Sequence, residues 1–123
     1  MVLPPPKAFA TAKNCENAAT QAEINECAGK AFKDADARLN AVYNDLLGRF
    51  KGDADRQKLL ISAQRAWITL RDADCAFIAS GVEGGSLYPT ILSDCLKDET
   101  HMRLDTLQRM FDCREGDLTC PVP

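Results

Sequence analysis

Histidine occurs once in this chain of 123 residues, at position 101, and no two of its cysteines stand as close as a C-x-x-C pair. A structural zinc site draws four nitrogen or sulfur ligands from such close spacings, so no metal centre and no cofactor are expected. Basic residues are also short: 15 Lys and Arg against 18 Asp and Glu leave a formal charge of −3, with a pI of about 5.1. No dense Lys/Arg cluster appears, which excludes the usual nucleic-acid binder and disfavours an anionic membrane surface. A basic protein partner suits this charge without being demanded by it. No apolar run reaches the roughly eighteen residues of a membrane span. Internal repeats and low-complexity blocks are absent too. The opening Met1-Val2-Leu3-Pro4-Pro5-Pro6 lacks the basic and apolar regions of a signal peptide. The expectation is a mature exported protein whose leader has been removed, with Met1 standing in its place.

What is present begins with cysteine. There are six, at 15, 27, 75, 95, 113 and 120, in a chain that is 46% hydrophobic and 27% charged. An even number in a small, ordinary globular composition points to disulfides and an oxidising compartment. The length supports one domain with one core.

Residues 1–14, with three consecutive prolines, read as an extended leader in polyproline II geometry. Thr20-x-x-Glu23 is a capping box that opens a helix of about 30 residues. Its inward stripe is Ile24, Ala28, Ala31, Ala35, Leu39, Val42, Leu46 and Phe50, with Asn25, Gly29, Phe32, Asp36, Asn40, Tyr43 and Leu47 on the adjoining stripe. Gly52 ends this helix, and Asp53 or Asp55 caps the next, which spans about 54–79.

That second helix carries Ala63-Gln64-Arg65-Ala66-Trp67-Ile68-Thr69-Leu70-Arg71-Asp72-Ala73-Asp74-Cys75, around which the chain is organised. Leu60, Ala63, Trp67, Leu70, Asp74 and Phe77 recur at helical spacing, and Gln64, Trp67, Arg71 and Cys75 form a second stripe beside them. Two adjoining stripes predict a helix that touches two neighbours, the middle of a small bundle with a polar seam. Gly81, Gly84 and Gly85 break the helix. Pro89 then suits the first turn of a third helix capped by Ser86, with Ile91, Leu92, Cys95, Glu99, Met102, Arg103, Leu107 and Met110 inward. Residues 113–123 form a short tail around Gly116.

The fold class is therefore all-α: three long antiparallel helices behind an extended segment, stapled by disulfides. The domain spans 15–112. Pairing the cysteines in sequence order, Cys15 with Cys27, Cys75 with Cys95 and Cys113 with Cys120, suits this architecture, although six cysteines permit fifteen connectivities.

No catalytic set emerges. Asp72 and Asp74 lie two apart on a helix and point in different directions, with Asp74 expected in a salt bridge within the seam. His101 has no nucleophile signature near it. Gly84-Gly85-Ser86 lacks the lysine and the preceding strand of a phosphate loop. The inward polar set includes Asp36, Asn40, Gln64, Arg71, Asp74 and Arg103. It reads either as a network that holds the helices in register or as the lining of a ligand cleft.

Three segments in order carry a family resemblance. The first is Cys15 with Gln21-x-Glu23-Ile24-Asn25-x-Cys27 and Ala35-Asp36-x-x-Leu39-Asn40-x-x-Tyr43-x-x-Leu46. The second is Ala63-Gln64-Arg65-Ala66-Trp67-Ile68 with Arg71-Asp72-Ala73-x-Cys75 and Gly85-Ser86. The third is Cys95-x4-Thr100-x2-Arg103-x3-Leu107. This pattern resembles the LprI-type lysozyme-inhibitor domain, a family of small exported bacterial helical proteins. Two features depart from it: the Cys113/Cys120 pair lies beyond the motif, and Leu70 stands where relatives carry an aromatic.

The resemblance implies a non-enzymatic periplasmic or secreted protein that binds a peptidoglycan-cleaving enzyme, such as lysozyme, and occludes it. Lysozymes are commonly basic, so an acidic body favours encounter. No lipid-attachment cysteine context lies near residue 1, which points to a soluble form. The expected contact element is the loop from Val82 to Tyr88, through Val82, Glu83, Ser86, Leu87 and Tyr88, because a Cys75–Cys95 bridge would rigidify it. The loop as a plain helix connector is the competing reading. The rival functions are an envelope interaction module, or an immunity protein against a cell-wall-targeting toxin.

Overall fold

The structure, a computed structural model, describes residues 15–123, so the leader at 1–14 lies outside it. Helix α1 spans Gln21–Gly48. Thr20 opens it with a full capping box: its hydroxyl accepts from the Glu23 N–H while the Glu23 carboxylate accepts from the Thr20 N–H. The chain leaves α1 through Arg49 and turns at Gly52, whose φ of 92° favours a residue without Cβ. Asp53 caps α2, Ala54–Ala79, by accepting from the Arg56 N–H at 3.1 Å. A 3-10 turn at Ser80–Val82 leads to α3, Tyr88–Arg109, and a second 3-10 turn follows at Met110–Asp112. No strand occurs among the described residues.

The arrangement of these helices corrects one expectation. The middle helix is α3, not α2. Helix α3 packs along α1 and also against α2, whereas α1 and α2 barely touch. Helices α1 and α3 run in the same direction. Asn25 meets Ser86 and Thr90 at their starts, and Gly29 lies beside Ser93 one turn on. Leu39 and Leu46 then meet Leu104 and Leu107 toward their ends. Helix α2 runs against both.

The core gathers at one end. Leu39, Leu46, Phe50, Leu104, Leu107 and Val122 form one buried cluster, flanked by Leu60, Trp67, Met110 and Phe111. Val122, a residue of the tail, enters the core because the tail folds back. Asp117 accepts from both the N–H and the hydroxyl of Thr119, and Arg56 donates to the Pro121 carbonyl at 3.0 Å.

The inward faces also differ from the expected stripes. On α2 the buried side chains are Gln64, Arg71, Cys75 and Ala79, while Leu70 and Phe77 are 57% and 79% exposed. The polar stripe faces α3, and much of the apolar one faces solvent. On α3 the fully buried side chains are Thr100, Leu104 and Leu107, and Met102 is exposed. Ser86 does not cap α3. The cap position is Leu87, without a side-chain bond, and Pro89 sits in the first turn where a missing N–H leaves no bond unmade.

All six cysteines are paired, in sequence order. Cα separations are 5.4 Å for Cys15–Cys27, 5.6 Å for Cys75–Cys95 and 5.7 Å for Cys113–Cys120, within the usual span for a bridge.

Candidate functional site

Two groups of residues follow from this packing: a polar seam through the middle of the bundle and a loop at one end. The seam centres on Arg71, which α2 points at the α1–α3 junction. The residue is 8% exposed, and its guanidinium donates to Asp36 Oδ1 at 3.4 Å, Thr100 Oγ1 at 3.3 Å and Asp72 Oδ1 at 3.0 Å. The Phe32 and Trp67 rings lie 5.2 and 5.1 Å from its carbon, within cation–π range. One side chain thereby joins all three helices.

A second arginine also meets Trp67. Arg103 Nε donates to Gln64 Oε1 at 2.9 Å, and its guanidinium lies 5.8 Å from the indole. Burial lowers the Arg103 pKa from the ordinary arginine value, because the charged form loses solvation.

The structure thus brings Asp36, Gln64, Arg71 and Arg103 together and leaves two expected members out. Asn40 faces solvent, because its position on α1 falls outside the arc covered by α3. Asp74 is half-buried and forms no ion pair with a described residue; Asp72 and Asp36 take that role. Phe32, set by the α1 pattern on one stripe with Asp36, proves to be a ring against Arg71, whereas sequence reasoning missed Thr100 as the hydroxyl that receives it. The signal for Thr100 was its spacing of four and seven from Leu104 and Leu107.

Every buried side-chain nitrogen and oxygen among the described residues has a hydrogen-bond partner. The seam therefore leaves no buried polar atom waiting for a ligand. No group of three His, Cys, Asp or Glu side chains converges in metal-binding geometry among those residues. His101 is half-buried on α3, without a side-chain hydrogen bond or ion pair to a described residue.

The loop between α2 and α3 differs in kind. Glu83, Ser86 and Leu87 are exposed and Val82 and Tyr88 half-buried. Its backbone is closed by hydrogen bonds from the Glu83 N–H to Ser80, the Gly85 N–H to Val82 and the Tyr88 N–H to Gly85. Gly84 has a φ of 85°, and a Cβ at Gly85 would sit 3.2 Å from the Val82 carbonyl oxygen, so both positions favour glycine. From outside the loop, Asn25 Nδ2 donates to the Ser86 carbonyl at 3.0 Å, and Asn25 Oδ1 accepts from both Gln21 and Thr90. The Cys75–Cys95 bridge ties the two helices beneath it. A shallow hollow of about 390 Å³ opens on its surface between Gly81 and Leu87.

Fold and site together define a disulfide-stapled three-helix protein that presents a braced, exposed loop. The family described as Lysozyme inhibitor LprI matches residues 12–107. The chain belongs to that family. It is 32% identical over 114 residues to an uncharacterized protein of Rhizobium meliloti (strain 1021), covering 84% of this chain and 82% of that protein. A crystal structure of a DUF1311 family protein from Pseudomonas putida KT2440 matches with a TM-score of 0.66 at 23% identity. The match covers 71% of this chain and 89% of that one, and it speaks for the fold. No described helix is long and apolar enough to cross a membrane.

Proposed function

We propose that this protein acts in the periplasm or outside the cell, where it binds a lysozyme and blocks its cleft with the loop from Val82 to Tyr88. Membership of the lysozyme-inhibitor family supports the partner class. The observation that carries the loop assignment is its bracing: an exposed turn fastened by Asn25 at Ser86 and by Cys75–Cys95 below. A loop already held in one conformation loses little entropy on binding, which is the usual requirement of a loop that plugs a cleft. Glu83 adds a carboxylate, and the net charge of −3 favours approach to a basic enzyme. The inhibitor does no chemistry in this reading; it excludes substrate.

The test is lysis of a peptidoglycan suspension by lysozyme, with the oxidised protein added in steps. A saturable block at one-to-one stoichiometry is expected, and its loss when 82–88 are replaced by a glycine–serine linker of equal length. Full inhibition by the replaced variant ends the loop assignment. Failure of the intact protein against lysozymes of several types ends the inhibitor reading and favours an envelope interaction module.

A further inference from the structure

Helix α2 carries an apolar face that the fold leaves open. Leu59, Ala63, Ala66, Leu70, Ala73 and Phe77 are all exposed, and their spacing alternates four and three along the chain. That is the repeat of a coiled-coil seam. At 1.5 Å per residue the stripe runs about 27 Å, on a different side of α2 from Gln64, Arg71 and Cys75. Leu59, Leu70 and Phe77 are 70%, 57% and 79% exposed, which is unusual for three large side chains on one line.

The order of residues in the stripe indicates what covers it. Reflected about position 68, Leu59 exchanges with Phe77, Ala63 with Ala73 and Ala66 with Leu70. Large side chains oppose each other at the ends. In the middle each Leu70 faces an Ala66, which leaves room for it. A stripe with this symmetry is complementary to itself when the second helix runs antiparallel, as a two-fold interface requires. Ser62, Thr69 and Ala76, small, uncharged and exposed, line one flank of the stripe and allow close approach. We infer that the outer face of α2 is a self-association surface, on which a second copy of this chain packs antiparallel through Leu59, Ala66, Leu70 and Phe77.

The experiment is sedimentation equilibrium of the oxidised full chain across a concentration series. The expected result is a reversible rise from 13.5 kDa toward twice that mass. Leu70→Glu and Ala66→Lys each weaken association at least about tenfold, a factor worth 1.4 kcal/mol, while helicity by circular dichroism stays unchanged. Mixing the two variants restores a dimer, because antiparallel pairing sets Lys at 66 of one chain against Glu at 70 of the other. Phe77→Glu supplies an independent disruption. A wild-type chain that stays monomeric up to about 1 mM overturns the inference. So does a dimer that survives all three substitutions, and a mixture that fails to associate removes the antiparallel register.

Discussion

Where α1 and α3 end, the helices meet through Leu39, Leu46, Leu104 and Leu107, with Val122 of the tail closing the cluster. Where they begin, the contacts are Asn25 with Ser86 and Thr90, Gly29 beside Ser93, and two disulfides nearby. The first end is held by burial, which is strong and indifferent to direction. The second is held by hydrogen bonds and covalent bridges, which fix a geometry while adding little apolar area. The bundle thus separates stability from shape. The core end holds the chain folded, and the other end holds one loop in one conformation. Changes at the two ends should therefore have different signatures.

The largest effect expected is from full reduction. By loop-entropy arithmetic each bridge contributes about 2.5–3.5 kcal/mol, so losing three rivals the whole net stability of about 5–15 kcal/mol for a domain of this kind. A melting temperature that does not move under reductant would contradict this. Next is Leu46→Ala, at a side chain with no exposure. A cavity there costs about 2–5 kcal/mol, read from the midpoint of urea denaturation. The proposed lysozyme binding should persist wherever the variant remains folded, because the loop lies at the opposite end.

The seam sits between the two ends and should behave as neither. Arg71→Met keeps the stem over Phe32 and Trp67 but leaves the Thr100 hydroxyl without its donor. The loss is about 1–3 kcal/mol. Its pairing with Asp36, which is 39% exposed, contributes under about 1 kcal/mol in a double-mutant cycle. At the loop end, Asn25→Ala should cost about 1 kcal/mol in stability, yet weaken inhibition more than Leu46→Ala does. Equal effects on inhibition from the two substitutions would erase the distinction between the ends.

How much of this was legible beforehand depended on whether the controlling interaction was local. The Thr20–Glu23 box, the Asp53 cap, Gly52 and Pro89 act within a few residues of themselves, so helix bounds could be read from the chain. The cysteine order suited the helix order. The choice of middle helix was not legible, since α2 carries two stripes and only packing decides which is covered. Arg71 settles it: three polar partners and two rings outweigh what Leu70 and Phe77 would gain by turning inward. Asn40 was misplaced for the same reason, because a periodic stripe gives a direction but not the width of the neighbour that covers it. Val122 had no signal, since the Cys113–Cys120 bridge could be read as closing the tail, but its return to the core also needs Arg56 at the Pro121 carbonyl and the Asp117–Thr119 turn.

The smallest effect expected tests the loop end through the start of α1. The Glu23 carboxylate accepts from the N–H groups of Thr20 and Ala19, and these bonds hold its pKa below the ordinary value of 4.5. A carboxylate depressed in the folded state stabilises the fold in full above its unfolded value. That contribution fades as pH falls through the folded value. Glu23→Gln keeps an acceptor but cannot titrate, so the variant should lose this part of the acid limb while its stability near neutral pH changes little. Thr20→Ala removes the other half of the box and costs about 0.5–2 kcal/mol at all pH values. Both changes lie within two turns of Asn25, which reaches the Ser86 carbonyl. If fraying of α1 reaches that residue, inhibition should weaken in acid for the wild type and much less for Glu23→Gln. Identical acid profiles for the two would confine the capping box to helix stability and show that the Asn25 brace holds without it.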